Sequence, residues 1–314
     1  MISDALVELA LRALSCTQKE LAGQLGVSPS QITKWKKGEH MSLDMEKKLR
    51  DVAMIGELDP QFILWAGSYE EAVKWQKLIY CLAEMTHENA ETGYVTDPLQ
   101  GDIDILCSKV SRVLTDMGIK PPKSFPEELD VDEDDEEEFW EAVEKDNYAN
   151  IIYKIFNALN NVYGFYAAYI SDFIYDEELD LFETEAGNIE SCLVALAACK
   201  IEVDTKLAPK YREFKHNILK DYEEWLNIVK DKAFQAGIPL RAELLKLVYN
   251  SGDNLGLEAE AESLGFNSSR IHPDIYMNEL LVGMRVIHQV LPAILKKLEI
   301  DKEFELDPSA FRIG

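Results

Sequence analysis

Among the side chains between positions 18 and 40 that can hydrogen-bond are Gln18, Ser28, Ser30, Gln31, Thr33, Lys34, Lys36, Lys37 and His40. All of them can donate a hydrogen bond, and residues 28–38 contain no carboxylate. That is the chemistry of a duplex-facing surface. Amides and ammonium groups pair with base edges in a major groove, Gln with adenine and Lys with guanine. Lysines, hydroxyls and His40 suit phosphates, which fix position without reading sequence.

The charge balance makes this cluster stand out. The 314 residues hold 58 acidic and 32 basic side chains, a formal net charge of −26. Residues 1–50 hold eight basic and six acidic residues, a balance of +2, so the rest of the chain carries −28. A chain this acidic binds nucleic acid poorly if its charge is even. The asymmetry predicts a small duplex-facing module on a larger acidic body.

The elements that must position the cluster are legible. Leu6, Leu9, Ala10 and Leu14 predict a helix over 3–15. Thr17, with Glu20 three residues on, predicts a capping box for a second helix over 18–25, closed by Gly26. Ser28 should cap a third helix with Pro29 at its first position, where a missing N–H costs nothing. Gly38 should close that helix, and Ser42 should cap a fourth running from Leu43 to Met54. Leu21, Ala22 and Leu25 give helix two an apolar edge, and Val27, Ile32 and Trp35 do so for helix three. Ala22 is small enough to let the third helix cross closely.

With these residues in view, positions 17–38 resemble the lambda-repressor-like, Cro/XRE-type helix-turn-helix. The pattern is T-Q-x-x-L-A-x-x-L-G-V-S-x-x-x-I-x-x-W-x-x-G. The resemblance covers about 55 residues and says nothing of the remainder. It implies that the second helix of the motif enters the major groove while the first crosses the backbone. Gln18 stands where that family contacts a phosphate, and Ser28, Ser30, Gln31 and Lys34 where it reads base edges. Thr33 shares that face, and Lys36, Lys37 and His40 flank the helix exit. Pro29 departs from the pattern: many members place a base- or phosphate-reading side chain there, and proline cannot donate. A module of this kind usually works in pairs, and a prokaryotic or phage setting is what the resemblance implies.

The rest of the chain reads as helices at three- and four-residue apolar spacing, without long period-two alternation. They are expected at about 68–90, 102–117, 137–176, 184–200, 208–236, 240–250, 255–263 and 273–299, with Pro292 kinking or cutting the last. Residues 127–146 carry thirteen carboxylates and one lysine. The first part of that block is expected to be a solvated linker, or else a mimic of DNA that competes for the module. Nine aromatic residues from Tyr148 to Tyr175 suggest a bundle core, with a dimer interface or ligand pocket as the alternative.

No HExxH, GxSxG, Walker loop or post-strand GxGxxG occurs, and the five histidines form no metal spacing with each other. No catalytic residue, metal or cofactor is expected. His288 should be a half-buried structural histidine. Cys192 and Cys199 should be ordinary core. Five scattered cysteines without a CxxC pair fit a reducing compartment. No apolar run approaches the ~20 residues of a membrane span. A cytoplasmic location is therefore expected.

The expectation is an all-α chain. Residues 1–56 form a four- to five-helix DNA-binding domain, 57–122 a helical connection, 123–136 an acidic, Pro-containing linker, and 137–314 an acidic helical bundle. Its expected partners are double-stranded DNA and a second copy of itself, with a protein partner or small-molecule effector at the acidic domain. The expected function is a sequence-specific transcriptional regulator, a repressor by occlusion before an activator. The alternative is an antitoxin-like or phage-defence-associated protein whose acidic body binds a protein partner. An enzyme built on converging carboxylates, as in di-metal bundles, ranks third.

Overall fold

Local capping decides where the first helices begin and end. α1 (Ile2–Ala13) buries Leu6, Val7, Leu9 and Ala10, and the chain turns at Ser15 with a φ of 46°. Thr17 then starts α2 (Gln18–Leu25) with the expected capping box: its hydroxyl accepts from the Glu20 N–H, and its own N–H donates to the Glu20 carboxylate at 2.8 Å. The Thr17 N–H and, at 2.9 Å, the Thr17 hydroxyl both donate to the Glu20 carboxylate and, the backbone bond first, hold it below its usual pKa. Gly26 ends α2 in the left-handed region, at φ 69°, where a side chain would be strained. Ser28 caps α3 (Pro29–Trp35) by accepting from the Gln31 N–H. α4 (Leu43–Ala53) follows Ser42, whose hydroxyl makes no capping bond.

The computed structural model describes residues 2–122, 124–130, 136–266 and 273–298. Helix accounts for 71% of the described residues and none forms a strand, so the all-α expectation holds. A fifth short helix, α5 (Pro60–Ala66), lies beyond the 1–56 bounds, in the stretch expected as a helical connection; Asp59 caps it by accepting from the N–H groups of Gln61 at 2.7 Å and Phe62 at 3.0 Å. α5 packs on α1 and also against the helices that follow. One apolar core therefore runs without a break from Leu6 to Leu255.

Beyond it lie α6 (Tyr69–Glu88), α7 (Asp97–Gln100), α8 (Ile103–Asp116), α9 (Glu136–Lys145), α10 (Asn147–Tyr169) and α11 (Ser171–Ile174). Then come α12 (Asn188–Ser191), α13 (Leu193–Ala198), α14 (Tyr211–Ala236), α15 (Lys246–Tyr249), α16 (Gly252–Ser263) and α17 (Pro273–Lys297). The helix expected over 137–176 is three helices. Asp146 breaks it by accepting from the N–H groups of Tyr148 and Ala149, which makes it the cap of α10 rather than a residue inside a helix. The stretch expected over 240–250 keeps only the four helical residues of α15. Pro292 does not cut α17, which continues through it. In an exposed helix water can take the carbonyl that proline leaves unpaired.

α10 is the hub of the body, in contact with α6, α9, α13 and α16. Of the nine aromatic residues expected as core, Phe156, Phe165 and Tyr166 are essentially inaccessible and Tyr163 and Tyr169 are buried, whereas Tyr148, Tyr153 and Phe173 are half-buried and Tyr175, beyond the end of α11, is exposed. The tyrosine tips find partners, with Tyr163 donating to Asp97 at 2.7 Å and Tyr166 to Glu190 at 2.9 Å. Gly164 is required where α10 meets α16, because a Cβ there would lie 2.8 Å from Thr92 Cβ and 3.0 Å from Ala259 Cβ. The start of the acid block is not a free linker. Phe125 and Leu129 are buried, Phe125 sits edge-on to Trp75, and Lys74 pairs with Asp130 at 2.8 Å. Apolar residues inside the block override its self-repulsion. Residues 131–135 lie outside the described residues.

Candidate nucleic-acid interface

Ile32 and Trp35 fix the roll of α3. Both are buried with Leu21 and Ala22 of α2, in contact with α1. The opposite side of α3 is thereby turned outward. Ser30, Thr33 and Lys34 are exposed, and Gln31 is half-buried. Ser28 is exposed at the N-cap, and Lys36, Lys37 and His40 are exposed in the segment after the helix. Gln18 is half-buried at the first position of α2. The fold thus gathers the residues of α3 and its exit on one exposed segment.

Four of them are partly committed already. The Thr33 hydroxyl donates to the Pro29 carbonyl at 3.1 Å, so outward it can only accept. Ser28 and Ser30 share a hydrogen bond at 2.8 Å, and Ser28 also accepts from the Gln31 N–H. Lys34 Nζ lies 3.6 Å from a carboxylate oxygen of Glu39, and both side chains are more than half exposed. An exposed pair of this kind is worth about 1 kcal/mol or less, so a phosphate or base edge can displace it. The absence of carboxylates holds for α3 itself but not for the turn that follows it.

The positive charge divides the same way. Arg12 pairs with Glu8. Arg50 is consumed by structure: it pairs with Glu46 at 3.1 Å and donates to the carbonyls of Gly56 and Leu58, tying α4 to the turn before α5. By contrast, Lys19, Lys36, Lys37, Lys47 and Lys48 are exposed and make no ion pair among the described residues. Nothing in the sequence sets Lys19, Lys47 and Lys48 apart from the other basic residues of 1–50. Their free state depends on where Glu20 and Glu46 point, and both carboxylates turn to other partners.

Among the described residues no three His, Cys, Asp or Glu side chains converge as metal ligands would. Glu84 and His87 of α6 stand at the i, i+3 spacing of a di-metal helix, but Glu84 accepts from Tyr80 instead. Cys199 is buried and Cys192 half-buried, both as free thiols. Burial pushes the Cys199 thiol up to about 12, which makes it unreactive. His288 is exposed on α17, not half-buried, because none of the described residues covers it. No helix among the described residues is long and apolar enough to cross a membrane.

A separate cleft of about 870 Å³ opens between α5, α8 and the segments 118–121 and 209–210. Its charged lining is Arg112, Lys120 and Lys210, over a floor that includes Leu64, Trp65 and Ile119. The Trp65 indole N–H is buried and has no hydrogen-bond partner among the described residues. Cations on the rim and an apolar floor suit a small anion with an apolar body.

Compared with models of protein families, with curated proteins and with solved structures, the chain matches none.

Proposed function

We propose that this chain is a sequence-specific binder of double-stranded DNA that regulates transcription, chiefly as a repressor that occludes its site. In this reading α3 enters the major groove. Ser30, Gln31 and Lys34 meet base edges there, while Gln18, Lys36, Lys37 and His40 hold phosphates. The observation that carries it is the composition of α3's outward side. A helix held by buried Ile32 and Trp35 turns donors and no carboxylate of its own to solvent, on a chain of net charge −26. The acidic body then repels DNA everywhere else and leaves the N-terminal module as the point of contact.

One such module makes few base contacts, so two copies on one face of the duplex are needed for specific binding. A small anionic effector fits the cleft beside α5, which packs both on α1 and on the body.

Selection from a random duplex pool with the full chain, at low and moderate salt, tests the reading. Enrichment of a two-fold symmetric sequence with half-sites one helical turn apart supports it. No enrichment at either salt refutes it and turns attention to a protein partner of the acidic body.

A further inference from the structure

α17 leaves a pattern that the DNA-binding site does not use. From Leu280 to Leu298, one residue past the end of α17, the side chains are exposed, apart from half-buried Leu295. Ten of them are large and apolar, with Ile287 and Leu298 both 61% exposed. A helix this apolar is stable in water only when another surface covers it.

Six of these residues are Leu280, Met284, Ile287, Leu291, Ile294 and Leu298. They recur at alternating steps of four and three, the spacing of the a and d positions of a coiled coil. Met284, Leu291 and Leu298 fall at a; Leu280, Ile287 and Ile294 fall at d. That period selects a helix as the covering surface, because the seam it makes is the one into which another helix sets its knobs. Pro292 falls at b, off the seam.

We propose that α17 pairs with α17 of a second copy of this chain, making a two-fold seam along the a and d positions. Two chains of −26 repel wherever their carboxylates approach, yet residues 280–298 hold Arg285, Lys296 and Lys297 and no acid at all. Arg285 and Lys296 fall at b and f, away from the seam, and Lys297 at g, on its edge. The area is sufficient: covering the six side chains removes roughly 600 Å² from each helix, about 1,200 Å² in all, the lower end of a specific interface. Leu281 and Val290, at e and g, widen it. Most remaining apolar residues of α17 lie on its far side, so the seam is defined by position and not by apolarity alone.

This pairing rests on the DNA-binding reading for its purpose, since it supplies the second module, but not for its test. The molar mass of the full chain, without DNA, is measured by sedimentation equilibrium at micromolar concentration. The expected value is twice the 35.7 kDa of one chain. Ile287→Asp with Leu291→Asp, both on the seam, should give a single-chain mass with the near-ultraviolet aromatic signal of the body unchanged. Val282→Asp, at f, should keep the double mass. A wild-type chain of single mass overturns the proposal and leaves α17 to a membrane surface or another protein. A double mass that survives the seam variant overturns it too, as does Val282→Asp acting like the seam pair. Loss of DNA binding with the double mass intact would refute only the DNA-binding reading.

Discussion

Lys37→Ala separates a docked module from an idle one. Lys37 is exposed, follows α3 and makes no ion pair among the described residues, so its charge is available to a phosphate. Each phosphate neutralised contributes about 0.9 to the slope of log affinity against log salt. Losing one contact should therefore flatten the slope by about 0.9. Across a fourfold rise in salt, the variant should lose about 3.5-fold less affinity than the wild type. Arg50→Ala removes the same formal charge from the same module. Its guanidinium, however, is held by Glu46 and the carbonyls of Gly56 and Leu58, so the slope should not change. That variant should instead lose about 1.5–3 kcal/mol of stability, the usual value of charged hydrogen bonds. Anisotropy titrations of a labelled random-sequence duplex at three salt concentrations, with thermal unfolding of each protein, decide it. Parallel salt lines for wild type and Lys37→Ala would refute the docking. So would a flattened line for Arg50→Ala, because charge would then count regardless of its partner.

Other expected outcomes follow from single contacts. Lys34→Ala should lower preference for the selected sequence over a random duplex by about 1–3 kcal/mol, read by competition titration. Trp35→Ala empties a buried site between α3 and its neighbours, and should cost about 3–5 kcal/mol in denaturant unfolding. Gly164→Ala drives a Cβ into Thr92 and Ala259 and should cost about 1–3 kcal/mol, whereas Gly23→Ala in α2 meets open space and should be neutral or stabilising. Burial lowers the Lys200 ammonium from 10.5 to about 8, while its Nζ donates to the carbonyls of Val248 and Asn250. Between those values the unfolded chain holds more protons on this group than the folded one, so this lysine makes stability rise with pH, by at most about 1.4 kcal/mol per unit. The stability of wild type minus Lys200→Met should climb from pH 8 to 10.5. A flat difference would show that the folded lysine titrates normally.

Much of the N-terminal module was legible because its signals are local. The Thr17–Glu20 capping box, the left-handed Gly26 and the Ser28 cap need no distant neighbour, and each is where the spacing puts it. α5 is not legible in the sequence because its seven residues are too few to show a period, and only Asp59-Pro60 marks its start. Periodicity ran past the break at Asp146 because a capping aspartate looks like any acid in an acid-rich stretch. The burial of Phe125 against Trp75, some fifty residues away in the chain, is a tertiary contact that no local pattern encodes. The donor-rich side of α3 was readable as composition. The capture of Lys34 by Glu39 and of Arg50 by Glu46 and two carbonyls was not, because it depends on where side chains point after folding. The heptad of α17 was present in the sequence but overlaid by apolar residues at other positions. It becomes visible once the helix is seen to stand uncovered.

The claim that α3 reads the major groove is tested most directly by dimethyl sulfate protection on a duplex recovered by selection. The reagent marks guanine N7 in the major groove and adenine N3 in the minor groove. The wild-type chain should protect guanine N7 within each half-site, and Lys34→Ala should lose protection at one position while keeping the rest. Protection confined to adenine N3, or a pattern that Lys34→Ala leaves unchanged, would contradict the placement of α3 in the groove.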